Sequence, residues 1–541
     1  MVKVIPKQTV SMYTRDRIRL DADVYYPGAE GTFPVLLMRQ PYGRSIASTV
    51  VYAHPIWYAS HGYIVVIQDV RGRGTSEGEF KLFENEISDG VETVHWAANL
   101  PRSNGKVGMY GFSYQGMTQL YAALDRPEPL KAICPAMLAP DLYKDWAYEN
   151  GAFCLFANLG WAIQLAAETA RLKGDETAFL ELSRAAKNVP LSDRIPARPE
   201  ILQKYAHYDA YYQDWLDCSD AYWQKLSIDV SSIDIPMLYI GGWFDTYMRG
   251  TLRSYFSSQQ AHLIVGAWAH LPWGRKVGAV DYGADAASFC DRAQVRWFDH
   301  WLKDQELILP PVQLFEMGSN QWRFYSEFPK ADQTILHLNS TGLASMDEQD
   351  GGLRSHRFEN AFENHQIDVI VHDPWRPVPA LGGHLAYPCG SFERSHIDAR
   401  SDVLTYTTAP LEADLHLVGE MIVELCASSD SPSFDLCAVL SEVKPSGSVM
   451  NFSQGYLSSN NSELQAYRIP LQPICICIPK GSAIRLSVSG ACFPAYPVNA
   501  GTGAKPGEAS AIDFQLITIM IHTEGSKVLL NMNSIENFAS L

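Results

Sequence analysis

Residues 106–123 read "KVGMYGFSYQGMTQLYAA". An apolar run, Val107 to Phe112, ends on Ser113, with Gly111 two residues before it and Gly116 three residues after. Met117, Leu120, Tyr121 and Leu124 then recur at helical spacing. A strand that turns into a helix over one serine resembles the nucleophile-elbow pattern G-x-S-x-G, with the second glycine one residue late. The first glycine has a mechanical reason, because so sharp a turn leaves no room for a side chain. Gly116 relieves the same crowding one step into the helix. Serine and glycine are also common in ordinary turns, so the corner alone does not decide the chemistry.

Working outward, the same alternation repeats. "PVLLMRQ" (34–40), "YIVVIQDV" (63–70) and "LKAICPAM" (130–137) are short apolar runs of the kind that fill a sheet buried on both faces. Between them Ile87, Val91, Val94 and Ala98 keep helical spacing. Strand and helix in alternation predict a mostly parallel sheet flanked by helices. The pattern returns in "DIPMLYIGGWFD" (234–245) and "AHLIVGAWAH" (261–270). The spacing therefore predicts one α/β core from residues 1–140 and 231–308. The intervening 141–230, rich in Ala, Leu, Trp and Tyr, carries helical stretches such as "ANLGWAIQLAAETARL"; helices inserted between strands of one sheet predict a cap. After the helix-like "ASFCDRAQVRWFDHWLKDQE", Pro310–Pro311 marks a boundary. Residues 309–541 then show short strand signals and no long helix, as in "SAIRLSVSGA", where Ile484, Leu486 and Val488 alternate with polar residues. These predict a β-sandwich.

Composition narrows the class. A chain of 541 residues is too long for one ordinary core. A net charge of −17 disfavours nucleic acid or an anionic membrane surface as partner. No apolar run approaches the roughly 18 residues of a membrane-spanning helix, and the N-terminus lacks a signal-peptide core. The ten cysteines lie mostly inside apolar runs, and Cys475 and Cys477 are too close for a zinc knuckle. A soluble, cytoplasmic protein is expected, with a homo-oligomer left open.

A serine hydroxyl needs a base to take its proton and a third group to orient that base. In an α/β-hydrolase those partners follow the serine in the order acid, then histidine. Asp245 ends the run "PMLYIGGWFD" and His270 ends "LIVGAWAH". Both sit at the C-terminal ends of strands, where open α/β sheets place their sites. Asp245 is alternatively an N-cap for "TYMRGTLRSYF". Asp69, a rival acid, precedes the serine and breaks the order. His54, His61 and His95 read as structural or surface residues. "RGRGTSEG" lacks the lysine of a phosphate-binding loop and reads as a structural turn. No His and carboxylate cluster suggests a metal, and no cofactor is expected.

Together "RQPYGR", "DVRGRGTSEGEF", "GMYGFSYQGMTQ", "GGWFDTYMRG", "GAWAH" and "WFDHWLKDQE" resemble, in order, the cocaine esterase / X-prolyl dipeptidyl peptidase group of serine hydrolases. That group also carries the late glycine. Downstream, "VQLFEMGSNQWR", "HDPWRPVPALGG" and "FPAYPVNAGTG" resemble its C-terminal β-domain. The resemblance implies an α/β-hydrolase core, an inserted helical cap and a C-terminal jelly roll. It places nucleophile, acid and base on Ser113, Asp245 and His270. It also implies two oxyanion donors, the Tyr42 hydroxyl and the Tyr114 backbone N–H. Relatives acting on α-amino acid esters carry carboxylates two and three residues after the catalytic acid; here Tyr247 and Met248 stand there. Trp146, Phe153, Phe156, Trp161, Trp243, Phe244, Tyr247 and Trp268 instead suggest a pocket for an apolar or aromatic acyl group. The expected activity is hydrolysis of a small-molecule ester or amide. Acyl transfer, X-prolyl dipeptidyl peptidase activity and a carbohydrate-binding or scaffold protein with a silent core are the alternatives.

Overall fold

A computed structural model describes residues 5–28, 30–46, 49–217, 220–356 and 366–533. The apolar runs form one ten-stranded sheet. Its strands are β1 (Gln8–Tyr13), β2 (Arg19–Tyr25), β3 (Phe33–Gln40), β4 (Ile64–Asp69), β5 (Ser103–Phe112) and β6 (Leu130–Ala136). Across the cap follow β9 (Met237–Phe244), β10 (Ala261–Ala269), β13 (Val312–Glu316) and β14 (Gln321–Tyr325), the numbers β7, β8, β11 and β12 falling to short strands in the cap (Tyr148–Glu149, Ala152–Phe153) and after His270 (Lys276–Val277, Val280–Asp281). The spatial order is β1-β2-β4-β3-β5-β6-β9-β10-β13-β14. Along this order the strands from β4 to β13 run parallel, and β1, β2 and β14 pair antiparallel with their neighbours.

Alternation within each run explains its unbroken apolarity. Val35 and Leu37 face one side with Val107, Met109 and the helix α3 (Tyr114–Leu124). Leu36 and Met38 face the other with Tyr110, Phe112 and the helix of residues 290–303, through Ala293, Trp297 and Phe298. Both faces are covered, so neither alternates with polar residues.

The helix α2 (Glu86–Ala98) departs from the expected stripe. Ile87 is 41% exposed, and the buried face carries Glu86, Asp89 and Thr93 beside Val94 and Ala97. Charge pairing is the reason. Arg39 Nη1 donates to Glu86 Oε2 at 2.5 Å, and Arg71 donates to both oxygens of Asp89 at 2.7 and 2.9 Å. Buried carboxylates are tolerated only when paired in this way.

The segment between β6 and β9 is helical as expected. It is built on α4 (Leu155–Leu172) and α5 (Glu176–Lys187) with shorter helices at 200–204, 212–217 and 220–226. After Pro311, however, the chain re-enters the first sheet. Leu263 N–H donates to Pro311 O at 2.8 Å, and Val312–Glu316 pairs parallel with β10. The two strands after the double proline, Val312–Glu316 and Gln321–Tyr325, thus complete the first sheet. Downstream, twelve strands join in one curled sheet. Its longest member, Ile517–Met532, pairs with strands on both sides. The strand Ala483–Ser489, in which apolar and polar residues alternate, is buried throughout. Its polar residues are satisfied internally: Arg485 Nη1 lies 3.0 Å from Glu348 and Ser487 Oγ donates to Asp398 at 2.9 Å. Among the described residues no helix is long and apolar enough to cross a membrane, and no group of three or more His, Cys, Asp or Glu residues is placed to hold a metal ion.

Candidate active site

Ser113 sits between β5 and α3 with φ 60° and ψ −126°. A non-glycine residue in this region costs about 1–3 kcal/mol and persists only where its surroundings impose it. Several groups do so. Ser113 N–H donates to Ala136 O at 2.9 Å, tying the corner to β6. Gln119 Nε2 donates to Gly111 O at 3.1 Å, and its Oε1 accepts from Cys134 N–H at 3.0 Å. The two glycines answer different constraints. Gly111 has φ 144°, and a Cβ there would meet the Gln115 Cβ at 2.4 Å. A Cβ on Gly116 would lie 2.7 Å from Ala136 O, so the late glycine lets α3 press against β6.

Asp245 follows β9 and is fully buried. Its side chain is not the helix cap. The next helix starts at Met248, and Asp245 Oδ1 instead lies 2.8 Å from His270 Nδ1. His270 follows β10; with Nδ1 held by the acid, Nε2 is the nitrogen free to exchange a proton. The His270 ring rests on Phe112, the residue before Ser113, at 5.4 Å between centroids, and edge-on against Tyr247 at 5.0 Å. The rival Asp69 is committed elsewhere: it accepts from the Arg44 backbone at 2.6 Å and from its guanidinium at 2.5 Å. That pair ties the loop bearing Tyr42 to the end of β4.

The Tyr42 phenol lies close enough to Ser113 and to Trp161 of the cap for both to affect its ionisation. Burial pushes its pKa up to about 12, against the opposing effect of these two neighbours and of the Arg73 charge. The phenol therefore stays protonated and remains a donor at neutral pH. The Tyr114 N–H is the first of α3, where no intrahelical acceptor exists. Its side chain turns away to donate to Glu86 Oε1 at 2.8 Å. Thus the Arg39–Glu86 pair, unread in the sequence, supports the residue behind the serine. Arg73, from the loop that reads as structural, is also buried. It stacks on Phe80 at 3.8 Å and donates to Leu165 O at 3.3 Å, and burial draws its pKa down to about 10.

The aromatic residues divide. Trp146 contacts Trp161 at 5.2 Å and Tyr247 at 4.4 Å, so these three form a wall reaching from the cap to His270. Phe244 and Trp268 are core residues. Trp268 stacks on Trp273 at 5.7 Å and donates to Ala286 O, while Phe244 packs toward Tyr282. Phe153 lies against Tyr148 and Tyr212 and lines a separate cavity of about 580 Å³ between the cap and the β-rich part.

A strained serine at a strand–helix corner, on a largely parallel sheet with helices on both faces, defines an α/β-hydrolase-type serine hydrolase. The comparisons with known proteins place it more closely. Residues 16–272 match the X-Pro dipeptidyl-peptidase (S15 family) model, and 308–528 match the X-Pro dipeptidyl-peptidase C-terminal non-catalytic domain. The chain is 30% identical over 536 residues to a cocaine esterase of Rhodococcus sp. (strain MB1 Bresler), covering 90% of this chain and 91% of that one. It belongs to this family of serine hydrolases. In fold it is similar to an aminopeptidase from a marine sediment archaeon (Thaumarchaeota), with TM-score 0.79, 22% identity, and 98% and 97% of the two chains covered. It is likewise similar to an α-amino acid ester hydrolase, with TM-score 0.78, 22% identity and the same coverage.

Proposed function

We propose that Ser113, His270 and Asp245 form the catalytic triad of an esterase or amidase acting on small molecules. The contact between His270 Nδ1 and Asp245 Oδ1 at 2.8 Å, beside a serine on a strained corner, supports it most. Ser113 Oγ attacks the carbonyl carbon as its proton passes to His270 Nε2. Asp245 holds the imidazole in the tautomer that accepts it and stabilises the imidazolium. The oxyanion then takes hydrogen bonds from the Tyr42 hydroxyl and the Tyr114 N–H, each worth about 3–4 kcal/mol in the transition state. Collapse expels the alcohol or amine with the proton from His270. Water repeats the sequence in reverse and frees the acid.

The acyl group is apolar or aromatic in this reading. Trp146, Trp161 and Tyr247 supply the wall beside the triad, and Met248 is fully buried. Neither Tyr247 nor Met248 offers the negative charge that a substrate ammonium needs. The family model supports a second reading, release of Xaa-Pro dipeptides. A panel of p-nitrophenyl esters, aryl amides and Xaa-Pro anilides separates them. Aryl-acyl esters should turn over fastest, and faster turnover of Xaa-Pro anilides would replace the first reading by the second. Product analysis with added alcohols or amines tests acyl transfer, which is expected to lose to water. Cys134, Cys154, Cys290, Cys437 and Cys475 are buried free thiols, which fits a cytoplasmic setting.

A further inference from the structure

The main chain of the catalytic-acid loop is held by groups far from it in sequence. Gln472, from the β-rich part, is 2% exposed, and its Nε2 donates to Asp245 O at 2.7 Å and to Trp243 O at 3.4 Å. Gln472 is itself fixed on both sides: its N–H donates to Gln454 O at 2.8 Å, and its carbonyl accepts from Ser453 Oγ at 2.7 Å. The next residue of the loop is held by the same part, with Thr246 Oγ1 donating to His384 O at 2.9 Å.

Behind these contacts lies a buried cluster. Glu149, from the short cap strand Tyr148–Glu149, has His384 Nε2 at 2.8 Å on one oxygen and Arg249 Nη2 at 2.8 Å on the other. Tyr496 OH and the Tyr456 N–H complete its shell at 2.7 and 3.1 Å. Arg249 lies four residues after Asp245, and it also donates to Pro470 O, two residues before Gln472, at 3.1 Å. Cap, hydrolase core and β-rich part therefore meet at one carboxylate. A carboxylate this buried is stable only with every partner in place, so the arrangement is rigid.

We infer that Gln472, backed by the Glu149–His384–Arg249 cluster, is a positioning residue that sets Asp245 against His270. The β-rich part then contributes to catalysis without touching substrate. The inference rests on the triad reading above. Triad geometry tolerates little error, since a misplacement of about 1 Å costs roughly 100-fold in rate. A main-chain anchor on the acid itself is an economical way to hold it.

The test is Gln472→Leu, which removes the donor and keeps the bulk, measured in wild-type and Asp245→Asn backgrounds. Active enzyme is counted by fluorophosphonate labelling. In the wild-type background kcat per labelled site should fall about 10- to 100-fold with KM within about twofold. The far-downfield proton signal of the His270–Asp245 hydrogen bond should move or broaden. In Asp245→Asn the added Leu should change kcat less than about twofold, because the group it positions is already lost. Unchanged kcat and proton signal in a folded Gln472→Leu enzyme would overturn the inference, as would full multiplicativity with Asp245→Asn. If the Leu variant does not fold, Thr246→Val carries the same comparison, with a several-fold loss expected and none contradicting it. A wild type that fluorophosphonate does not label would instead remove the triad reading.

Discussion

The serine corner and the acid loop reach the same site by different means. Ser113 is held by neighbours within about one supersecondary unit: Gly111, Gln115, Gly116 and Gln119 on its own strand and helix, and Ala136 on the adjacent strand. Asp245 is held by Gln472 and Thr246–His384, contacts that cross 227 and 138 residues of chain. A local device leaves a motif in the sequence, because its parts keep fixed spacing. A long-range device leaves scattered polar residues whose spacing means nothing until the chain folds.

The largest expected effect breaks the serine side outright. Ser113→Ala should lower kcat by about 10⁶-fold with folding intact. On the acid side, Asp245→Asn should cost roughly 10⁴-fold, since it favours the wrong imidazole tautomer. Equal losses in the two variants would show that the acid matters as much as the nucleophile. Tyr42→Phe should cost about 10²- to 10³-fold in kcat with melting temperature nearly unchanged. Wild-type rates there would remove Tyr42 from the oxyanion site.

Two smaller effects sharpen the contrast. Gly116→Ala forces a Cβ to within 2.7 Å of Ala136 O, and overpacking of this kind costs about 1–3 kcal/mol of stability, read by urea unfolding. No loss would mean that α3 is not pressed on β6. The Tyr42 phenol, raised to about 12, stays protonated through pH 8–10. Its ionisation disfavours the native state, so the stability it contributes is fully present below pH 10 and fades only as pH rises toward 12. Hence the alkaline limb of kcat below pH 10 should have the same shape in wild type and Tyr42→Phe. A limb near pH 10 that vanishes in the variant would contradict this assignment.

Most of the α/β core was legible because its strands are unbroken apolar runs. The order Ser113, Asp245, His270 located the three groups at strand ends, and the structure brings the last two into contact. The misreadings share one cause. Periodicity counts apolar residues, so it assigned Ile87 to the buried face of α2 and missed Glu86, whose burial depends on Arg39 forty-seven residues away. Nor does it show that Ser487 and Ser489 are buried, where Asp398 and the Ala491 carbonyl satisfy them. Phe244 and Trp268 look like pocket residues by type, yet both are buried, packed toward Tyr282 and on Trp273. Composition cannot separate an aromatic wall from an aromatic core.

The most direct measurement is acid-quenched mass spectrometry of the enzyme during turnover of a p-nitrophenyl ester. An acyl group should appear on the peptide carrying Ser113, accumulate in step with a burst of p-nitrophenolate, and be absent from Ser113→Ala. Turnover with no acylated peptide, or with the acyl group on another residue, would contradict the assignment of Ser113 as the nucleophile.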